Sequence, residues 1–171
     1  NAASDASDAV FTILGATSTS LVSAPNPSVL GNSVTLTATV SPAAATGTVE
    51  FLDGASSLGT APVSSGTAAL VTSALGIGVH SLTASYLGSA ADAASASAAL
   101  SHEVQAQIVA TAGAHGSISP VGTVLVSAGA TPSFTFAADP GYHVASVTVD
   151  GGAVALTSPY TFAAIAANHT I

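Results

Sequence analysis

"SVTLTATV", residues 33–40, decides the fold class of this chain. Val34, Leu36, Ala38 and Val40 alternate with Ser33, Thr35, Thr37 and Thr39. Successive side chains of a β-strand point to opposite faces, so a strict period of two gives one face to a core and the threonine face to water. Residues with this pattern are strand formers, and no apolar period of 3.6 competes with it.

The same reading extends in both directions. "GTVEFLDG" puts Val49 and Phe51 inward and ends on a turn at Asp53 and Gly54. "GTAALVTSAL" and "GVHSLTASYLG" supply two more strands, the second aiming Leu82, Ala84 and Tyr86 to one side. "SASAALSHEV" reads as the last strand of this unit. Short strands separated by turn signals make an all-β sandwich over residues 15–104.

Residues 105–171 differ in character. Five of the eight aromatic residues lie there: Phe134, Phe136, Tyr142, Tyr160 and Phe162. "DPGY" and "VDGG" read as turns, and the spacing of Val144, Val147 and Val149 breaks strict alternation, which predicts a bulge or register change. This is a second, smaller compact β domain. The junction around Gln105 holds no Gly or Pro, so the two units are expected to join stiffly, strand to strand.

Before the sandwich, residues 1–14 form an acidic tail with Asp5 and Asp8, then an N-terminal extension strand, "AVFTIL". Phe11 and Ile13 fall on one face of that strand, Val10 and Leu14 on the other; Ala9 and Thr12 complete it. A strand apolar on both faces is normally buried on both.

Composition removes whole classes of function. The 171 residues include no Lys or Arg, and the eight acids set a formal net charge of −8. Phosphate backbones and anionic membrane surfaces require cations, so neither nucleic acid nor membrane insertion is expected. No apolar run approaches a membrane span. Lysine-based isopeptide cross-links are impossible, trypsin-like proteases find no site, and without cysteine no disulfide forms. Beginning at Asn1 rather than Met, the chain reads as one that has lost a leader or was excerpted from a longer one, and it is expected to work outside the cell or on its surface.

Catalysis finds no foothold. The sequence has no GxSxG elbow and no phosphate loop. His80, His102, His115, His143 and His169 form no HxH or HxxxH pair, so no metal or other cofactor is expected. Glu50, Asp53, Asp92, Glu103, Asp139 and Asp150 are scattered, with no calcium loop. The chain reads as a non-enzyme. Phe51, Tyr86, Phe134, Phe136 and Phe162 alternate like core residues. Tyr142 and Tyr160 read as exposed tips that could meet host or surface glycans. Asn168-His169-Thr170 is an N-x-T sequon.

Five strings in order, "NPSVLGNSVTLTATVSP", "GTVEFLDG", "SLGTAPV", "GTAAL" and "GVHSLTASYLG", resemble the bacterial Ig-like repeats found in tandem on very large surface and secreted proteins. That resemblance implies a seven-strand sandwich used as spacer or adhesive module. In residues 105–171, "GSISPVGTV", "PGYHVASVTVDG", "YTF" and "NHTI" resemble the divergent internalin-type B-repeat, in which the chain runs on past the last of these and completes a strand. Neither resemblance brings catalytic residues.

A functional expectation follows. A strand ending at His169, Thr170 and Ile171 leaves a groove, with Phe162 and Ile165 beside it, that a donor strand fills. Residues 9–14 of another copy are the expected donor, because two sandwiches end to end span roughly 70–80 Å at usual strand rises while eight tail residues reach about 28 Å. The result is a head-to-tail thread of identical subunits joined by donor-strand complementation. The alternative is a tandem-repeat stalk or adhesin segment, in which the same strand is covalently joined to a preceding domain; a carbohydrate-binding module is a third.

Overall fold

The computed structural model describes residues 13–171, and among them every regular element is a β-strand. The chain runs through β1 (Ser18–Ala24), β2 (Ser28–Val29), β3 (Val34–Ser41), β4 (Thr48–Asp53), β5 (Ser56–Pro62), β6 (Thr67–Thr72), β7 (Gly78–Tyr86) and β8 (Ser95–Ala96). It continues with β9 (Leu100–Ala110), β10 (Gly116–Ser119), β11 (Gly122–Val126), β12 (Ser133–Ala138), β13 (Val147–Val149), β14 (Gly152–Val154), β15 (Tyr160–Thr161) and β16 (His169–Thr170).

The first unit packs the sheet β1-β3-β6 against β5-β4-β7-β9. The alternation in β3 does what its period requires: Val34, Leu36, Ala38 and Val40 are buried, while the threonines face outward. They meet Val49, Phe51, Leu82, Ala84 and Tyr86 of the facing sheet in one core. Each fully buried Leu of this set contributes about 1.5–3 kcal/mol over an exposed one.

A second core gathers Ala106, Ile108, Ala110, Val126, Phe134, Val147, Phe162, Ile165 and Ile171. It lies under β9 with its partners β11 and β16, closed by the sheet β10-β12-β15. Phe134 and Phe162 meet edge to face with centroids 5.7 Å apart. The hairpin β13-β14 turns through Asp150 and Gly151, both at positive φ (50° and 78°), the geometry that two-residue hairpin loops demand.

One strand belongs to both units. β9 pairs with β7 through Leu100 to Val104 and with β11 through Ala106 to Ala110, so no linker separates the two cores. "SASAALSHEV" is therefore not a single closing strand. It breaks into the short β8 and the start of β9, which runs on six residues past Val104 because alternate residues (Ala106, Ile108, Ala110) find a core to enter. The irregular spacing at Val144 also has another cause than a bulge: residues 142–146 are not in a strand at all, and β13 begins only at Val147.

Candidate functional site

The two ends of the described chain lie at opposite poles. Gly15 N donates to the Ala91 carbonyl at 2.7 Å, Ala93 N donates back to Gly15 at 2.8 Å, and Thr17 Oγ1 reaches Ser95 Oγ at 2.8 Å. Ser95 pairs with Tyr86, at the end of β7 farthest from the junction. At the other pole Ile171 N donates to the Val109 carbonyl at 3.0 Å and its own carbonyl accepts from Thr111 N at 2.8 Å. β16 runs parallel to β9, so the chain leaves in the direction away from the first unit.

The separation follows from register. Leu82 pairs with Leu100; four residues of β7 lie beyond it on one side and ten of β9 on the other. At about 3.3 Å per residue, the level of Tyr86 is about 46 Å from that of Ala110. This is shorter than two sandwiches stacked end to end, because β9 is shared.

Of the expected donor residues, Ala9, Val10, Phe11 and Thr12 lie outside the described residues. Ile13 is 81% and Leu14 43% exposed, neither in a strand, so these two side chains are not buried on either face within the described chain. Of the expected acceptor residues, Phe162, Ile165 and Ile171 are buried in the second core. They do not line an open groove as a set, because their own module packs against them. His169 and Thr170 form β16, and both bond Asp150: His169 Nδ1 at 2.7 Å and Thr170 N at 2.8 Å from its carboxylate oxygens. Those bonds, the His169 contact first and the Thr170 amide second, hold the Asp150 carboxyl below the ordinary carboxylate range.

A recess of about 440 Å³ opens at the exit pole instead. Residues 111–118 and 143–148 line it, with Ile118, Phe136, Val144, Val147 and Ile171 as its apolar side chains. No carboxylate lines it; His115 and His143 do. Sequence reading missed this site because its apolar residues come from four separate stretches of chain. A smaller recess of about 370 Å³ lies beside Tyr160, Phe162 and His169.

Tyr142 is 55% exposed, as its turn suggests, and stacks on His115 with centroids 4.0 Å apart. Tyr160 is not an exposed tip. It is half-buried and packs edge-on against Phe162 at 5.1 Å, because β15 places it over the second core. Phe136 is also only half-buried, at the rim of that core.

Four of the five histidines, His80, His102, His115 and His169, pair with acids or hydroxyls. His80 Nδ1 lies 2.6 Å from Asp53, and His115 Nδ1 lies 3.7 Å from Asp139. His102 is fully buried, with Ser23 Oγ at 2.9 Å from Nδ1 and Ser28 Oγ at 2.9 Å from Nε2. It fastens β1 and β2 to β9. Among the described residues no three His or acidic side chains gather in a way that would hold a metal ion.

Residues 21–105 match the family model of the bacterial Ig-like domain (group 3). The first unit is an Ig-like domain. A solved structure described as Clostridium thermocellum CbhA fibronectin(III)-like modules is similar at 18% identity and a TM-score of 0.40, over 88% of this chain and 81% of that one. No curated protein matches the chain. Ig-like domains are structural modules typical of extracellular repeat and stalk proteins, generally without catalysis. No helix among the described residues is long and apolar enough to cross a membrane.

Proposed function

We propose that this protein is a non-enzymatic extracellular structural subunit that joins other copies of itself head to tail into a surface thread, residues 9–14 of one copy completing the C-terminal module of the next. The observation that carries the reading is the polar layout. The chain enters at one end of the Ig-like domain and leaves at the far end of the second module, and β9 runs unbroken between the two cores. A strand loaded along its axis resists extension through its whole ladder of hydrogen bonds, which suits a strut.

Self-complementation is out of reach. Six residues extend about 21 Å at most, against the 46 Å between poles estimated from strand rise. A contact between unlike ends is heterologous, and it propagates as a fibre when the rotation between copies does not close a ring. The same layout serves a tandem-repeat stalk, in which the head-to-tail joint is covalent, and the family match is compatible with that reading as well.

Electron microscopy of the full chain at high concentration tests the reading. The expected result is unbranched threads with an axial repeat of about 50 Å per copy, from the strand rise, and separate particles for the Phe11→Asp/Ile13→Asp variant. Particles alone from the unaltered chain would overturn it.

A further inference from the structure

Of the Phe and Tyr residues in the described chain, Tyr142 alone is exposed. Its place is written in "DPGY", residues 139–142. Pro140 fixes the first corner of a four-residue turn and Gly141 takes the second at φ +86°. Tyr142 N donates to the Asp139 carbonyl at 3.0 Å, which completes the pattern of a type II turn. A second turn, at Ala114 and His115, leads into β10, the partner of β12. Asp139 N donates to the His115 carbonyl at 2.9 Å, one step past the Gly116–Ala138 pair, so the ladder ties the two turns together. His115 holds φ +58°, a left-handed conformation uncommon for a residue with a side chain. The His115 and Tyr142 rings then lie stacked, with centroids 4.0 Å apart and planes 7° from parallel.

We infer that this stacked pair is a binding platform for a neutral pyranose, the sugar lying on the open face of Tyr142. His115 covers one face of the ring, and the other is left to the ligand. An aromatic face carries partial negative charge and draws the slightly positive C–H groups on the apolar face of a sugar. The ring is set before any ligand arrives, by the turn beneath it and by His115 behind it, so binding loses little side-chain freedom. Charge selects among the ligands that stack. Nucleic-acid bases come with phosphates, and the chain has no Lys or Arg to meet them. Acidic sugars meet a net charge of −8 with the same lack of cations. Quaternary ammonium groups are held in cages of several rings. Here one ring face is open, and the nearby carboxylate of Asp139 faces His115 Nδ1 at 3.7 Å. A neutral pyranose needs only the flat face. A galactoside fits a single open face most simply, because its axial hydroxyl gathers the ring hydrogens beside it on the opposite face.

The chain has three tyrosines, of which Tyr86 is buried and Tyr160 half-buried, so the ring signals of Tyr142 can be followed singly by NMR. The full chain is titrated with methyl β-galactopyranoside and, separately, with galacturonate and with choline. The galactoside is expected to shift the Tyr142 ring signals saturably, with saturation transfer to the hydrogens of its apolar face. Tyr142→Phe keeps the transfer and Tyr142→Ala loses it, each with the melting temperature of the unaltered chain. Tyr142→Leu, apolar and of similar bulk without a ring, serves the same test if the alanine variant melts early. Galacturonate and choline are expected to leave the ring signals in place. No saturable shift with the galactoside overturns the inference, and so does transfer that survives the loss of the ring. A shift with choline alone makes this a site for organic cations, and an equal shift with galacturonate removes the selection by charge; either result overturns the assignment to a neutral sugar. Sugar binding and thread formation are separate readouts, so the inference goes beyond the head-to-tail reading and does not depend on it.

Discussion

Asn168 and Leu30 lie 138 residues apart in the chain, yet Asn168 Nδ2 donates a hydrogen bond to the Leu30 carbonyl at 3.2 Å. The other end of the same amide, Oδ1, accepts from Gln107 N at 2.9 Å. Leu30 in turn donates its N–H to the Gln105 carbonyl at 2.8 Å. One side chain thus ties the Ig-like domain, the shared strand β9 and the last strand together at the junction.

Replacing that side chain tests the tie. Asn168→Ala removes two hydrogen bonds, each with a net worth of about 0.5–1.5 kcal/mol. A loss of about 1–3 kcal/mol in chemical denaturation is expected. Asn168→Asp keeps the acceptor for Gln107 and loses the donor to Leu30, so it is expected to fall between the two. The same geometry bears on the sequon. A glycan on Nδ2 takes one of its two hydrogens and has to fit beside the Leu30 carbonyl that this nitrogen faces, so intact-mass analysis of native material is expected to find Asn168 unmodified.

The pH dependence of stability separates two histidines that face each other across β7 and β9. Burial opposes charge on His80, but the Gly76 carbonyl and the Asp53 carboxylate both accept from its ring and outweigh burial, raising its pKa. Its contribution is full below the unfolded value of about 6.5 and is lost as pH rises through the folded one. His102 shifts the other way, by burial first and by the charge of His80 second. Its contribution is present above about 6.5 and is lost as pH falls through its lower folded value. His80→Gln is therefore expected to steepen the loss of stability in acid, and His102→Gln to steepen the loss in base. Melting temperatures of both variants between pH 5 and pH 8, the range in which histidines titrate, check the signs.

How much of this was legible in sequence depends on whether a feature is periodic or assembled. The alternation from Val34 to Val40, and the inward aim of Leu82, Ala84 and Tyr86, are local, and the structure buries all of them. The length of β9 was not legible, because it continues only where a second core receives Ala106, Ile108 and Ala110. Asn168 read as a sequon, since nothing nearby in sequence announces Leu30 or Gln107. Asp53 and His80 are 27 residues apart and meet only through the register of β4 on β7. The exit-pole recess is hardest of all to read. Its floor draws Ile118, Phe136, Val144 and Ile171 from separate stretches, and the loss of alternation at Val144 marks a coil where a bulge was the natural inference.

Gly47 and Tyr86 fix the entry pole of the Ig-like domain, and their contact yields the last prediction. Tyr86 is fully buried, and its hydroxyl donates to the Thr46 carbonyl, drawing the chain before β4 over the ring. The next residue, Gly47, sits at φ +119°, where L side chains are strained. A Cβ there would stand 2.6 Å from the Gly88 carbonyl oxygen and 3.3 Å from Tyr86 Cε2. The first of these is backbone that cannot swing aside, so Gly47→Ala combines a disfavoured φ with a steric clash. A cost of about 2–4 kcal/mol is expected, of the size that strained backbone and overpacked cores show. Tyr86→Phe keeps the ring and removes only the hydroxyl, so about 1 kcal/mol is expected from the lost hydrogen bond. Denaturant midpoints of the two variants decide it: if Gly47→Ala is no more harmful than Tyr86→Phe, the close approach of residues 47 and 88 is not what shapes this pole.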